Sequence, residues 1–259
     1  MPVCYFASDF HLGAPNPSQS LERERSIIRW LDYAASDATD IYFVGDVFDF
    51  WFEYATVIPK GYSRFFGKIA ELSDRGIQFH FFHGNHDMWV KDYFKNEFGM
   101  KIYDQPQEIE LFGKKILLGH GDGLGPGDRG YKFIKRILRS PICQWAFARL
   151  HPNFGIGIAR YFSGKSREGS EEEHQFLGFD KEWLYQFSEN HQKTNPKDFY
   201  IFGHRHLPYA LPISSNGMYY NLGEWIHYQT FIKIDSDVPQ YLKWDGNMAN
   251  QYNPPYGKS

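Results

Sequence analysis

The chain has few of the features that mark secreted or membrane-spanning proteins. Its 259 residues include only two cysteines, Cys4 and Cys143, which are too few for a disulfide framework and fit a reducing compartment. No run of about 18 apolar residues is present, so no segment is expected to cross a bilayer. The first residues also lack the basic stretch and apolar run of a secretory signal. We therefore expect a cytoplasmic protein, and contact with the cytoplasmic face of a membrane stays open.

An excess of positive charge is also missing. The net charge is −3 and the isoelectric point is near 6.4, so no overall basic field favours nucleic acid as a partner. Hydrophobic residues make up 42% of the chain, which is enough for a sizeable core. The length suits one large α/β domain with an insertion, or two small domains. We predict a single domain over residues 1–259.

The first third of the chain alternates between short apolar runs and amphipathic segments. Buried strands are predicted at residues 3–7, 41–44 and 77–82, and helices at residues 20–35 and 62–73. Such alternation is typical of a sheet with helices between its strands and functional loops at the strand ends.

The pattern changes in the second part of the chain. Residues 109–112 and 115–118 flank Gly113 and predict a hairpin. Further on, a helix is predicted at 180–192 and a strand at 199–202. The remaining apolar runs predict antiparallel strands, at residues 218–222, 230–234 and 240–244.

Residues 124–178 are predicted to form a helical insertion that is rich in aromatic and basic side chains. Aromatic residues on one side of a helix pair usually belong to an ordinary core. Here Lys and Arg alternate densely with them although the whole chain is acidic. The segment therefore also suits a lid over a substrate with acyl chains and a diphosphate, or a surface that docks on an anionic membrane.

Five short polar motifs follow the predicted strands. Between them they contain carboxylates, an amide and several imidazoles at strand ends, where core packing does not explain them. The motifs are Asp9-Phe-His11, Gly45-Asp46, Gly84-Asn85-His86-Asp87, Gly119-His120-Gly121-Asp122 and Gly203-His204-Arg205-His206.

This residue set predicts a centre with two divalent metal ions. Carboxylate and imidazole ligands together suit Mn, Fe, Co or Zn. The two oxygens of Asp46 can bridge two ions, which lie about 3.5–4 Å apart in such centres. Asn85 adds an amide oxygen, and His120, His204 and His206 add nitrogen ligands.

Other residues of the motifs have predicted roles beside the metal ions. His86 is placed to bind phosphate or to protonate the leaving oxygen. Asp49, Asp87 and Asp122 are candidates for carboxylates that orient the ligating histidines. The remaining histidines lack a partner pattern, and we expect structural or solvated roles for them: His80, His83, His151, His174, His191 and His227.

In this order the motifs resemble those of the calcineurin-like metallophosphoesterases. The resemblance covers most of residues 3–230 and implies an α/β fold in which a two-sheet sandwich is flanked by helices, with the metal centre at one edge. It also implies two ligand sets that share Asp46. The first set is Asp9, His11, Asp46 and His206, and the second is Asp46, Asn85, His120 and His204.

Within that family the chain is most similar to the pyrophosphohydrolases of lipid A synthesis. The similarity rests on residues 8–13, 45–51, 83–87 and 120–122, followed by Asp128 and Tyr131. It implies hydrolysis of UDP-2,3-diacylglucosamine to UMP and 2,3-diacylglucosamine 1-phosphate, with Mn as the usual metal, and a helical lid over the lipid chains. Fe, Zn, Co or Mg are the other candidate metals. Those enzymes commonly carry Arg where this chain has His86.

The same resemblance implies substrate contacts. They are Asn85, His86, Asp128, Ser163, Lys165, Arg167 and His204, of which Asn85 and His86 are also the predicted catalytic residues. Two other functions remain open: a phosphodiesterase or phosphatase for soluble nucleotides or phosphoproteins, and a scaffold without activity. The expected partners are a nucleotide-lipid substrate and, transiently, the inner leaflet of the cytoplasmic membrane. The sequence does not indicate an oligomeric state.

Overall fold

The computed structural model describes residues 1–127, 129–168, 176, 178–213 and 216–254, without the side chains of residues 160 and 165–168. The first half begins with six strands and three helices. In chain order they are β1 (Cys4–Ala7), α1 (Pro17–Ala34), β2 (Asp40–Val44), α2 (Ser63–Asp74), β3 (Gln78–Phe82), α3 (Tyr93–Phe98), β4 (Lys101–Tyr103), β5 (Gln107–Leu111) and β6 (Lys114–Gly119).

Four helices and six strands complete the described chain. They are α4 (Arg129–Leu138), α5 (Pro141–Phe147), α6 (Pro152–Glu168), α7 (Trp183–Thr194), β7 (Phe199–Phe202), β8 (Pro208–Ile213), β9 (Gly217–Leu222), β10 (Thr230–Ile234), β11 (Gln240–Trp244) and β12 (Ala249–Gln251).

The strands form two sheets. The first has seven strands in the order β12-β11-β10-β1-β2-β3-β4, and the second has five in the order β5-β6-β7-β9-β8. Strands β1 to β4 run parallel, and so do β6, β7 and β9. The carboxyl ends of parallel neighbours lie at one edge of a sheet, so the loops that carry the polar motifs are brought together there.

The core consists of three apolar layers. Between the sheets, Phe6 and Val44 of the first sheet pack with Leu118 and Ile201 of the second. Helices α1 and α2 cover the outer face of the first sheet, and α7 covers that of the second. Because strands such as β2 are buried on both faces, they read as continuous apolar runs rather than alternating ones. The result is the predicted αββα sandwich.

The structure corrects one sequence prediction about the sheets. The strand predicted at residues 218–222 was grouped with the two that follow it as antiparallel. Instead β9 lies in the second sheet, parallel to β7 and antiparallel to β8, while β10 and β11 pair in the first sheet. The chain changes sheet between Leu222 and Thr230, a step that local hydrophobicity does not encode.

Helices α4, α5 and α6 lie outside the layers of the sandwich. Their large apolar side chains are mostly exposed, including Phe133, Ile142 and Trp145, which are 66%, 80% and 61% exposed. Ordinary core packing therefore does not account for the aromatic residues of this segment. Phe147 is an exception. Its ring centroid lies 4.7 Å from that of Phe52 and 4.8 Å from that of Trp89, and these contacts attach α5 to the sandwich. In the described part of the chain, no helix combines the length and apolarity needed to cross a bilayer.

Candidate active site

Five loops at the carboxyl ends of strands carry the predicted ligands. Asp9 and His11 follow β1, Asp46 follows β2, and Asn85 follows β3. The second sheet contributes His120 directly after β6, and the two histidines of the last motif after β7. Each loop departs from a buried strand, so its first residues have fixed positions.

One group of ligand atoms comes from four of these side chains. Asp9, His11, Asp46 and His206 each offer an atom within 4.8 Å of the others. His206 Nε2 lies 3.2 Å from Asp9 Oδ1 and 3.1 Å from His11 Nε2. The structure thus brings together all members of the first predicted ligand set.

The second predicted set also converges, around the amide oxygen of Asn85. This oxygen is 3.2 Å from His120 Nε2 and 3.0 Å from His204 Nδ1. His120 Nε2 is also 3.3 Å from Asp46 Oδ2, so Asp46 belongs to both groups. Its position between them suits a bridging carboxylate.

The donor atoms fit divalent metal ions. Asp9 Oδ1 and Asp46 Oδ2 are buried and have no hydrogen-bond partner in the described structure, which is costly for a carboxylate unless a cation binds it. His120 Nδ1 lies 2.9 Å from the carbonyl oxygen of Val44. Since a carbonyl only accepts, Nδ1 carries a proton, and Nε2 is the nitrogen that a metal would bind after losing its own proton.

Electrostatics also prepare these groups for metal binding. Burial, together with His206, lowers the pKa of His11 well below its usual range, so this imidazole is neutral. Burial alone would raise the pKa of Asp46, but His120 and His86 outweigh it and lower the pKa well below the usual value. Burial likewise would lower the pKa of His120, yet the Asp46 carboxylate raises it to about 10. Without metal, a proton on His120 therefore balances the charge of Asp46.

Backbone strain is concentrated at the ligands. Five non-glycine residues of the motifs have a left-handed φ: Asp9 (55°), His11 (44°), Asp46 (53°), His204 (66°) and His206 (58°). Each such conformation costs on the order of 1–3 kcal/mol, and it persists only where the surrounding structure enforces it. Clustering of strain at the predicted ligands points to a functional site.

Close packing explains a glycine of the third motif. A Cβ at Gly84 would overlap the carboxylate and the backbone nitrogen of Asp46. Only glycine lets the loop after β3 approach the loop after β2 this closely. The approach also allows the backbone N–H of His86 to donate to Asp46 Oδ1 at 2.8 Å.

His86 lies beside the ligand atoms, with its ring centroid 5.0 Å from that of His11. Its Nδ1 is 2.9 Å from the carbonyl oxygen of Asp49 and 2.9 Å from Ser163 Oγ in α6. Since the carbonyl only accepts, Nδ1 holds a proton there, and Nε2 remains to take up and release one. Ser163, expected to contact substrate, therefore contacts the predicted catalytic histidine.

The carboxylates expected to orient histidines make other contacts. Asp87 is fully buried and accepts from backbone N–H groups, among them those of Val47 at 2.7 Å and Gly84 at 2.8 Å. It ties the loops after β2 and β3 together rather than fixing a histidine. Asp122 accepts from Tyr131 Oη at 2.7 Å and lies 2.5 Å from Lys135 Nζ, which attaches α4 to the fourth motif.

The third of these carboxylates, Asp49, lies near two histidines. Its Oδ1 lies 3.9 Å from His11 Nδ1 and 4.0 Å from His86 Nδ1, beyond hydrogen-bond distance. These three residues also form a second group of possible ligand atoms within 4.8 Å. The carboxylate therefore faces both histidines without bonding either through these atoms.

Three predicted substrate contacts cannot be located. Asp128 lies outside the described residues. Lys165 and Arg167 belong to α6, but their side chains lie outside the described structure.

Two arginines that position ligand loops, buried Arg23 and half-buried Arg205, were missed at the sequence level. Arg23 of α1 donates to the carbonyls of Phe10 and His11 at 2.6 Å and fixes the first motif. Arg205 stands between the two histidines of the last motif, and its Nε donates to Glu182 at 3.0 Å. The only sequence signal for Arg205 is its place between two ligands, because its partner is distant in the chain.

Comparison with known proteins identifies the family. The profile of the family described as calcineurin-like phosphoesterase matches residues 4–208. A UDP-2,3-diacylglucosamine hydrolase of Porphyromonas gingivalis is 38% identical over 255 residues, which cover 93% of this chain and 94% of that protein. The enzyme of the same name from Histophilus somni is 26% identical, over 93% of this chain and 100% of that protein. Among solved structures, the phosphoesterase Yfce of E. coli aligns over 95% of this chain and 96% of that chain, with 16% identity and a TM-score of 0.45.

The family profile spans most of the chain, and the relative from P. gingivalis matches almost from end to end. The chain therefore belongs to the calcineurin-like phosphoesterase family and is a metal-dependent hydrolase.

Proposed function

We propose that the protein hydrolyses the diphosphate of UDP-2,3-diacylglucosamine to UMP and 2,3-diacylglucosamine 1-phosphate. The observation that carries this proposal is the near full-length similarity to hydrolases named for that substrate. Two further features support it: ligand atoms for two metal ions at one sheet edge, and an aromatic, basic helical segment next to them. In the reaction, water adds its oxygen to one phosphorus atom, the P–O–P bond breaks, and the released phosphate oxygen accepts a proton.

Each group of ligands has a defined part in this proposal. Asp9, His11, Asp46 and His206 would hold one ion, and Asp46, Asn85, His120 and His204 would hold the other. Two divalent ions bound there, with Mn as the preferred metal, would supply a hydroxide nucleophile near neutral pH and neutralise phosphate oxygens. Asn85 and His204 would also contact the substrate phosphate.

His86 acts as the proton donor to the leaving phosphate oxygen, or as a hydrogen-bond donor to that phosphate. Its Nδ1 is held by the Asp49 carbonyl, which fixes the ring and leaves Nε2 as the donor. Ser163 Oγ contacts the same atom at 2.9 Å. The proton therefore leaves from a ring whose orientation is set before substrate binds.

Helices α4 to α6 serve as a lid. Tyr131 and Lys135 bind Asp122 at one end of the segment, and Ser163 binds His86 at the other. Beneath α6, a cavity of about 570 Å³ lies against the loop at residues 57–60, with Val57, Ile58 and Ile156 among its lining. An apolar space of this size under the lid suits acyl chains.

The exposed apolar side chains of the lid suit brief contact with the inner leaflet of the cytoplasmic membrane. Ile142 and Trp145 project apolar surface from α5, and basic residues of α4 supply charge that attracts anionic lipids. A soluble nucleotide substrate would give no reason for such exposure. This favours the lipid substrate over the soluble alternative.

The deciding experiment compares two substrates with the purified, Mn-loaded protein. We expect kcat/KM for UDP-2,3-diacylglucosamine to exceed that for a generic aryl phosphodiester by several orders of magnitude, with UMP as a product. Equal or better turnover of the aryl ester would reject the lipid assignment and favour a general phosphodiesterase. Lack of hydrolysis of either compound, together with lack of metal uptake, would favour a scaffold.

A further inference from the structure

A second cavity, which is polar, adjoins the metal-ligand groups on the side of α4. Its volume is about 280 Å³, and His120 and Asp122 of the fourth motif form part of its wall. The segment after β4, from Asp104 to Pro106, forms the opposite side. The cavity therefore opens next to the atoms that would bind a diphosphate.

One face of α4 gives the cavity its charge. Lys132, Lys135 and Arg136 of α4 line it together with Arg139, which directly follows the helix, at the spacing that places residues on one side of a helix. Bonds within the protein hold this face in place: Lys135 Nζ donates to the carbonyl of Asp122 at 2.7 Å, and Arg139 Nη1 donates to that of Asp104 at 3.2 Å. An ammonium has three donors and a guanidinium five, so donors remain for a ligand. Arg139 Nε is buried without a hydrogen-bond partner in the described structure.

His83 provides the cavity with a buried acceptor. The residue is only 8% exposed and lines the cavity, although its sequence context predicted a structural or solvated role. Its Nδ1 forms a close contact of 2.6 Å with Asp104 Oδ1, and the carboxylate favours the tautomer with the proton on Nδ1. Within the described chain no group hydrogen-bonds Nε2, which leaves a lone pair available to an N–H or O–H of a ligand.

Size and polarity together restrict the occupant. Pockets for whole drug-sized ligands are commonly about 300–1,000 Å³, so this cavity takes a part of a large substrate rather than all of it. Cationic walls and a buried acceptor are unsuitable for acyl chains but suit phosphate with an attached polar group. The apolar cavity under α6, by contrast, has the opposite character.

From these observations we propose that the cavity binds the nucleoside monophosphate half of the substrate. Arg136 and its neighbours on α4 contact the phosphate and ribose, and His83 Nε2 accepts a hydrogen bond from the nucleoside. The diphosphate then lies at the metal-ligand groups, which adjoin the cavity through His120. This inference rests on the proposed function and specifies how that site divides its substrate.

Inhibition by each of the two products tests which half of the substrate the cavity binds. The variant Arg136→Ala removes an exposed cation without disturbing the core, and Arg129→Ala on the same helix, outside the cavity lining, is its matched control. We expect Arg136→Ala to raise the inhibition constant of UMP about tenfold, as for loss of a charged hydrogen bond. The inhibition constant of 2,3-diacylglucosamine 1-phosphate should stay within about twofold, and Arg129→Ala should change neither. An unchanged constant for UMP, or equal loss for both products, would overturn the proposal.

Calorimetry with the Mn-loaded protein keeps the test independent of turnover. We expect UMP to bind at least about tenfold more tightly than inorganic phosphate, and His83→Gln to remove most of this difference while leaving phosphate binding in place. Equal affinity for UMP and phosphate in the unaltered protein would show an anion site without a nucleoside position and would reject the inference. If UDP-2,3-diacylglucosamine were not hydrolysed but UMP bound in this way, only the lipid part of the proposed function would fail.

Discussion

The Nε2 atoms of His11 and His206 lie 3.1 Å apart. Two neutral imidazole nitrogens at this distance repel one another if both present lone pairs, unless a proton or a cation lies between them. The nearby Asp9 Oδ1 is buried and has no hydrogen-bond partner in the described structure. An N–H of one neutral ring donated to the other would still leave the Asp9 oxygen without a partner, whereas a cation shared by these atoms satisfies all three.

Replacing Asp46 with alanine should remove the carboxylate that both ligand groups share. We expect the Asp46→Ala variant to lose at least one of two bound metal ions and to fall below about 0.1% of the original kcat, because the bridge positions both ions. Metal content by mass spectrometry and turnover with Mn are the measurements. Asp237→Ala, an exposed carboxylate far along the chain, serves as control. Near-normal turnover of the Asp46 variant would contradict the bridging role.

Replacing His86 should impair chemistry without removing metal. We expect His86→Ala to lower kcat by about 10²–10⁴-fold, the usual contribution of a positioned acid. Metal content should remain that of the unaltered protein. His86 also belongs to a group of possible ligand atoms with His11 and Asp49, so metal loss in this variant would identify it as a ligand instead.

Ser163 can be tested for the role that its contacts indicate. Its hydroxyl lies 2.9 Å from His86 Nδ1 and 3.0 Å from the Asp49 carbonyl. We expect Ser163→Ala to lower kcat about fivefold, as for one lost hydrogen bond of about 1 kcal/mol, with little change in KM. Ser163→Thr keeps the hydroxyl and should restore most of the rate. A raised KM with unchanged kcat would mean that Ser163 binds substrate, as the sequence suggested.

The strand ends could be predicted from sequence because two local signals coincide there. Each apolar run of a buried strand stops at a polar motif, and the structure brings these motifs together at the sheet edges. Strand β8 escaped prediction because Pro208 and Pro212 argue against a strand. Both are tolerated because β8 is the edge strand of the second sheet. The short elements α3, β4 and β12 carried too little periodicity to be recognised.

The roles of individual polar residues were less predictable than their locations. Asp87 was expected to orient a histidine, yet its oxygens accept from the backbone N–H groups of two loops. A sequence shows that a carboxylate stands beside a ligand, but not which donors the fold turns toward it. The partner of Glu182 was unpredictable for the same reason. Glu182 accepts a hydrogen bond from Arg205, which joins the start of α7 to the last motif.

The lid should bind anionic vesicles through its exposed apolar residues. Full burial of an Ile or Trp side chain contributes about 1.5–3 kcal/mol, so even partial insertion is measurable. We expect the double variant Ile142→Ser/Trp145→Ser to bind phosphatidylglycerol-containing vesicles at least about tenfold more weakly in sedimentation. Val238→Ser changes an equally exposed residue outside the lid and should have no effect. Equal binding by all three proteins would exclude this docking surface.

Metal binding should release a proton from His120. In the metal-free protein Asp46 raises the pKa of His120 to about 10, so the imidazole is protonated at neutral pH although its Nε2 is needed as a ligand. A metal ion must displace this proton, and its affinity should therefore fall by up to about tenfold per unit as the pH is lowered from 8.5 to 6.5. Calorimetric titration with Mn in two buffers of different ionisation enthalpy measures the release, and we expect about one proton from this residue. His120→Asn should abolish that contribution. A binding enthalpy that does not depend on the buffer would show that His120 is already neutral before the metal binds.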